Sequence, residues 1–234
     1  MNTLHKIIGG SMAVAAMVAF TTSSAQAQNL LVNPGFENAG GFTANPITLS
    51  TVNQGWALFG ATAQTTMGAS VDSPRSGGFA LIEQNAIGNN WNPAGAYQIV
   101  GGVTAGVTYS FSGFYLADAA LTSTFTTPVC FQVGFEDAAL NNLGTLEAGP
   151  GTNSGGFSYS VSAQDTWLQG SITGTAPAGS VYAVVYAMFM CNGQTTTDSI
   201  YFDDMSLVAT PEPSSFALVG AGLLGLRLIR RRNR

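Results

Sequence analysis

The side chains of this 234-residue chain that could carry acid–base or nucleophilic chemistry are carboxylates: Glu83, Asp118, Glu136, Asp137, Glu147 and Asp165. A pair of them could serve a glycosidase as acid and nucleophile. Nothing in their spacing selects a pair, and any acidic all-β domain offers similar pairs, so solvated loop acids are the expectation. Composition closes the other routes. The one histidine is His5, and residues 28–212 contain no lysine and a single arginine, Arg75. Ser-His-Asp and Cys-His arrangements, histidine-ligated zinc and Schiff-base lysines have no residues to build them. The chain is therefore expected not to be an enzyme. Cys130 and Cys191 are its two cysteines. In an oxidising compartment they are expected to form one disulfide, with two buried thiols as the alternative.

Charge is segregated along the chain. Only 8% of residues are charged. Lys6 lies near the start, Arg227, Arg230, Arg231, Arg232 and Arg234 near the end, and all twelve acids between Glu37 and Glu212. Residues 28–212 thus set one basic residue against twelve acidic ones, a formal net charge of −11. Such a surface cannot neutralise a run of phosphates, which argues against nucleic acid as a partner. A neutral glycan or a cation is the compatible ligand.

The elements that must position these residues lie between two addressing segments. Residues 1–27 follow the plan of a secretory signal: Lys6, an apolar run from Ile7 to Phe20, and the small-x-small site Ala25-Gln26-Ala27. At the other end, residues 209–215 read as a linker containing Pro211-Glu212-Pro213. Residues 216–229 read as a short membrane helix, and residues 230–234 as a basic cytoplasmic tail in which Arg230, Arg231 and Arg232 stop transfer. Pro-Glu-Pro, then serine, an apolar Gly/Leu-rich segment and an arginine-rich end together resemble the PEP-CTERM sorting signal of Gram-negative bacteria. Arg227 departs from the pattern by interrupting the apolar run early. The resemblance implies an exosortase-type processing enzyme as partner and transient residence in the inner membrane. It also implies delivery to the cell surface or extracellular matrix, often alongside exopolysaccharide.

In the body, residues 28–208, short β-rich runs alternate with Gly, Asn, Ser and Pro clusters, and no amphipathic helix is apparent. Val107–Ser112 alternates apolar and small polar residues, as a half-buried strand does. Val129–Phe135, Leu168–Thr175 and Ile200–Val208 are further strand candidates, and Val181–Met190 suits a strand covered on both faces. Turn signals separate them at Gly101-Gly102, Ala105-Gly106, Asn141-Asn142 and Pro177-Ala178-Gly179. The expected fold is an all-β, jelly-roll β-sandwich.

Several phrases, in order, resemble the galactose-binding-like jelly rolls of carbohydrate-binding modules. They include Asn29-Leu30-Leu31-Val32-Asn33-Pro34-Gly35-Phe36-Glu37, Gly55-Trp56, Tyr97-Gln98-Ile99-Val100, Thr175-Ala176-Pro177-Ala178-Gly179 and Tyr201-Phe202-Asp203-Asp204-Met205. The resemblance implies that the opening and closing strands run side by side, and that Glu37 with Asp203 or Asp204 ligates a structural Ca²⁺. Capping of turns by these acids is the alternative. Sugar binding in such modules implies ring stacking, for which Trp56, Trp91, Tyr97 and Trp167 are candidates. Trp56 and Trp167 are expected in the packing. Trp91 sits in the polar loop Gly88-Asn89-Asn90-Trp91-Asn92-Pro93. There Asn89 and Asn92 would add hydrogen bonds to an extracellular polysaccharide; a ring folded back over the core edge is the alternative. A structural or adhesive matrix component without a specific ligand is the second functional expectation.

Overall fold

The computed structural model describes residues 27–39, 42, 48–60, 65–88, 92–117, 129–148, 165–191 and 194–210. The signal, the Pro-Glu-Pro motif with its helix and arginines, Asn89, Trp91 and Asp118 lie outside them, as do the side chains of Asn92 and Glu147.

After a 3-10 turn at Leu49–Thr51 come ten strands: β1 (Ala57–Phe59), β2 (Thr65–Ser70), β3 (Ala80–Gly88), β4 (Asn92–Gly101), β5 (Thr108–Ala117), β6 (Val129–Glu136), β7 (Asn142–Ala148), β8 (Leu168–Thr175), β9 (Tyr182–Cys191) and β10 (Gln194–Thr210). They form two antiparallel five-stranded sheets, ordered β1-β4-β9-β6-β7 and β2-β3-β10-β5-β8. The fold is the expected all-β jelly-roll sandwich, without a helix in the described part beyond the 3-10 turn.

Period-two patterning builds the core. In β5, Tyr109, Phe111, Gly113 and Tyr115 face inward while Ser110, Ser112 and Phe114 face out. From the other sheet, Phe131, Val133 and Phe135 of β6 and Ala183, Val185, Ala187 and Phe189 of β9 complete the layer. The Phe131 ring meets Phe202 of β10 edge-on, with centroids 5.9 Å apart at 79°. Gly113 and Gly170 flank that ring so closely that a Cβ at either would collide with Met205 or Phe131. β9, in the middle of its sheet, is covered over most of both faces, as its apolar run implied.

The opening segment runs alongside the closing strand, although it is an irregular turn rather than a strand. Leu30 N–H donates to Leu207 O (2.8 Å) and Met205 N–H to Pro34 O (2.9 Å). Asn29 Nδ2 donates to Met205 O at 3.0 Å. The segment is also tied to the first sheet: Gln98 of β4, buried, donates through Nε2 to Val32 O at 2.9 Å and accepts from Val32 N–H at 2.7 Å. Trp56 is buried and donates Nε1–H to Asn33 O at 2.9 Å, so its assignment to packing holds. Trp167 also packs, but outside the main core, against Leu116 and Tyr201 on the outer face of the second sheet.

The expected disulfide does not fit the register. Cys130 stands opposite Met188 of β9, and Cys191 lies three residues further along that strand. At about 3.3 Å of rise per residue, that offset alone separates the Cα atoms by roughly 10 Å. A disulfide needs about 7 Å or less.

Candidate functional site

Two places gather the polar and aromatic groups. The first is where β10 bends. Its pairing with β5 shifts between Asp203 and Ser206, and Asp204 adopts φ 49°, a left-handed conformation that aspartate tolerates better than most residues. Such a bulge re-aims side chains, and here it presents two consecutive carboxylates to the β2–β3 loop. Asp203 Oδ2 accepts from the backbone N–H groups of Arg75 (2.9 Å) and Ser76 (3.1 Å). Its Oδ1 accepts from the Asp204 N–H at 2.7 Å. Asp204 pairs with the Arg75 guanidinium and accepts from Ser76 Oγ at 2.6 Å. The guanidinium also lies 3.5 Å over the Phe114 ring, within cation–π range. Glu37 holds the same loop from the other side: Gly78 N–H donates to both its oxygens, at 3.1 and 2.9 Å. Gly77, at φ 63°, lies so close to the Glu37 carboxylate that a Cβ there would overlap it.

The three acids predicted as cation ligands are therefore gathered around one loop, but their oxygens meet N–H donors and a guanidinium. Among the described residues no group of three or more His, Cys, Asp or Glu side chains is placed to hold a metal ion. The trio, as arranged, does not fit a carboxylate cage for Ca²⁺, which takes six to eight oxygens. Burial pushes the Asp203 carboxyl above its ordinary range, with the three backbone N–H bonds opposing that shift.

The second place is the outer face of the first sheet. The register aligns Ala57, Tyr97, Tyr186 and Gln132 in one row across β1, β4, β9 and β6. Phe59 heads the next row, beside Gly95 and Met188. The three rings make a triangle: Phe59–Tyr186 at 5.8 Å and 89°, Phe59–Tyr97 at 6.0 Å, and Tyr97–Tyr186 at 5.8 Å. Tyr97, the candidate named from sequence, is only 2% exposed, whereas Phe59, Tyr182 and Tyr186 each keep part of their surface in solvent. Glu136 lies on this side, opposite Tyr182 in the register. It is buried, and its Oε2 has no hydrogen-bond partner. Burial first, and Asp137 second, raise its pKa. Burial, then the Glu136 and Tyr97 charges, push the Tyr186 hydroxyl up to about 12, so it stays a donor at any ordinary pH. Sequence reasoning missed Phe59 and Tyr186. The signal for Tyr186 was its even spacing from Tyr182, which puts both tyrosines on the face of β9 opposite the core residue Phe189.

Among the described residues, the other candidate acids do not converge. Glu83 projects into the core between the sheets, fully buried, with neither oxygen partnered. Burial holds its carboxyl well above the ordinary range, and the nearby backbone of Ala96 and Phe189 opposes this only in part. Asp137 caps its own turn, accepting from the Ala139 and Asn141 N–H groups at 2.8 and 3.0 Å. The Asn141 side-chain amide, which also donates to it, lowers its pKa most, and those two backbone bonds add to the shift. Glu83 points inward from β3 of the second sheet and Glu136 outward from β6 of the first, so the two share no cleft.

A family profile described as the PEP-CTERM protein-sorting motif matches residues 209–232. No curated protein matches the chain in sequence. Among solved structures, a protein of Bacteroides thetaiotaomicron VPI-5482 with a provisional sugar-binding designation superposes with a TM-score of 0.54 at 14% identity, covering 78% of this chain and 100% of its own. The Stig cyclase Fisc from Fischerella sp. TAU, solved with an indole compound, gives 0.53 at 14% identity, covering 79% and 98%. The enzymatically active domain of tailspike protein 4 from bacteriophage CBA120 gives 0.53 at 13% identity over 78% of this chain; the chain spans only 21% of that protein's length. At these identities the likeness establishes the fold, and a fold of this kind hosts unrelated functions.

Proposed function

We propose that this chain is exported, sorted to the cell surface through its PEP-CTERM motif, and holds a neutral carbohydrate on the outer face of the first sheet. The motif at residues 209–232 indicates export, surface sorting and processing by exosortase, a membrane enzyme. Removal of residues 1–27 as a signal and passage through the inner membrane of a Gram-negative cell complete this route. The carbohydrate assignment rests on the Phe59–Tyr97–Tyr186 triangle beside the unpartnered Oε2 of Glu136. Partly exposed Phe59 and Tyr186 supply apolar surface on which a sugar's C–H face stacks, and Glu136 Oε2, buried without a partner, would gain a hydrogen bond once a turn of its side chain brought it to a sugar hydroxyl. A body with a formal charge of −11 across residues 28–212 disfavours an anionic polymer, so the ligand class is neutral polysaccharide. Screening the full chain on immobilised neutral and acidic glycans tests this; retention on none of them, or equal retention of Tyr186→Ala, overturns it.

A structural matrix role is the second reading, and a different surface favours it. On the outer face of the second sheet, three rows align across β10, β5 and β8: Thr210–Thr108–Thr175, Val208–Ser110–Thr173 and Ser206–Ser112–Ser171. Eight of these nine side chains are hydroxyls and none is charged or aromatic.

A further inference from the structure

A β-sandwich of two open sheets has four edge strands, and an edge is a row of N–H and C=O groups ready to pair with another chain unless something blocks it. Here the edges are β1, β7, β2 and β8. β1 is only three residues long. β7 contains Glu147, and its pairing with β6 shifts register. β2 is shorter, at six residues, and although its pairing with β3 is unbroken it holds Gly68 at φ 151°, a conformation side-chain-bearing residues rarely adopt. β8 has none of these features. Its eight residues, Leu-Gln-Gly-Ser-Ile-Thr-Gly-Thr, contain no charge and no proline, and it pairs with β5 in unbroken register from Thr175 to Leu168. Among the described residues, no backbone hydrogen bond from outside the sheet reaches it.

We infer that β8 pairs with β8 of a second copy of this chain, antiparallel about a two-fold axis at Ile172, joining the two second sheets into one ten-stranded sheet. The occupant follows from the strand's own sequence. A closed dimer needs a surface complementary to itself. About Ile172, Gln169 faces Thr175, Gly170 faces Gly174, Ser171 faces Thr173 and Ile172 faces itself. Every pair then matches like with like: hydroxyl or amide on the outer face, glycine or isoleucine on the inner. No two charges oppose one another, in a body that otherwise has twelve acids. The outward residues Gln169, Ser171, Thr173 and Thr175 are all exposed. The inward glycines are fixed by the core, Gly170 beneath Phe131 and Gly174 beneath Leu146, so this edge stays smooth for reasons internal to the fold. Thr108 and Thr175 hydroxyls already bond across β5 and β8 at 2.9 Å, and Thr173 to Ser110 at 3.2 Å. The dimer continues that ladder into the second copy, since Ser/Thr pairs facing one another on a sheet are favourable.

Cysteine crosslinking of the full chain in membranes tests the pairing and its register together. With Ser171→Cys and Thr173→Cys in one chain, a DTT-sensitive band of doubled mass is expected on non-reducing gels. Thr145→Cys, exposed on β7, serves as the control and should give none. In detergent, sedimentation of the full wild-type chain should show a dimer. Ser171→Glu with Thr173→Glu places like charges directly opposite each other and should raise its dissociation constant about tenfold or more, with unchanged circular dichroism. A wild-type monomer at high concentration, or crosslinking no greater than for Thr145→Cys, overturns the inference.

Discussion

Arg75, the one basic residue between positions 28 and 212, pairs with the carboxylate of Asp204, 129 positions further along the chain. The contact closes the β2–β3 loop over the bulge of β10. Charge, backbone hydrogen bonds and an aromatic ring all meet at this one loop.

The parts of that clasp should differ in weight. Arg75→Ala removes a partly exposed ion pair and a cation–π contact, together costing about 1–2 kcal/mol. Asp203→Ala strips the acceptor from three backbone N–H groups around a buried position and should cost more, about 2–4 kcal/mol. Urea denaturation of the two variants checks the order, and an Arg75→Ala loss exceeding that of Asp203→Ala would contradict it.

Divalent cations should matter little to this clasp. Glu37, Asp203 and Asp204 already meet N–H groups and Arg75. The melting temperature is expected to be the same in excess chelator and in millimolar calcium. A rise of several degrees with calcium would show that the carboxylates do hold a cation.

Glu83 makes stability depend on pH. Its folded-state pKa is raised by burial above the unfolded value. The unfolded chain therefore ionises first, and stability is full below the ordinary glutamate range and declines as pH rises toward the folded-state pKa. Asp203 and Glu136, also raised, add to the same slope. Glu83→Gln keeps the shape without the charge. It should flatten the decline, gaining more over wild type at pH 8 than at pH 4 in parallel denaturation curves.

On the outer face of the first sheet, Tyr186→Ala and Phe59→Ala should each weaken binding of a retained neutral glycan about three- to tenfold, the range expected for one stacking ring. Glu136→Gln should weaken it too while leaving the rings in place. Affinity electrophoresis in polysaccharide-containing gels reads all three. Unaltered migration of both ring variants would move the site elsewhere, with the 88–93 loop and its Trp91 the next place to test.

Much of the architecture was legible in the sequence. β8 coincides with the run from Leu168 to Thr175, because Trp167 and the Pro177-Ala178-Gly179 turn bound it on either side. β5 follows its alternating pattern over most of its length, and β6 spans the run from Val129 to Phe135 and one residue more, buried on both faces rather than alternating. The opening segment was harder to read. Leu30, Leu31 and Val32 look like a strand, but the chain turns at Pro34 and enters left-handed φ at Asn33 and Phe36. Phe36 tolerates this because the core encloses its ring, against Trp56 at 5.1 Å. The disulfide expectation failed for a related reason. Residue type and compartment favour a bond, but strand register sets the distance between the two cysteines.

The sequence by itself determined the chemistry on offer. A body without histidine or lysine, rich in acids and small polar residues, is followed by a Pro-Glu-Pro sorting motif, and composition and local pattern are enough to read all of that. Tertiary structure alone decided which groups meet. Glu37, Arg75 and Asp204 come from three separate parts of the chain, and Phe59, Tyr97 and Tyr186 from three strands, so each set exists only once the sheets have formed. The acids looked uncompensated because the sequence shows no basic neighbour near them. Folding supplies Arg75 and a ring of backbone N–H groups, since loop position and strand register are fixed by burial of the whole core rather than by any local stretch.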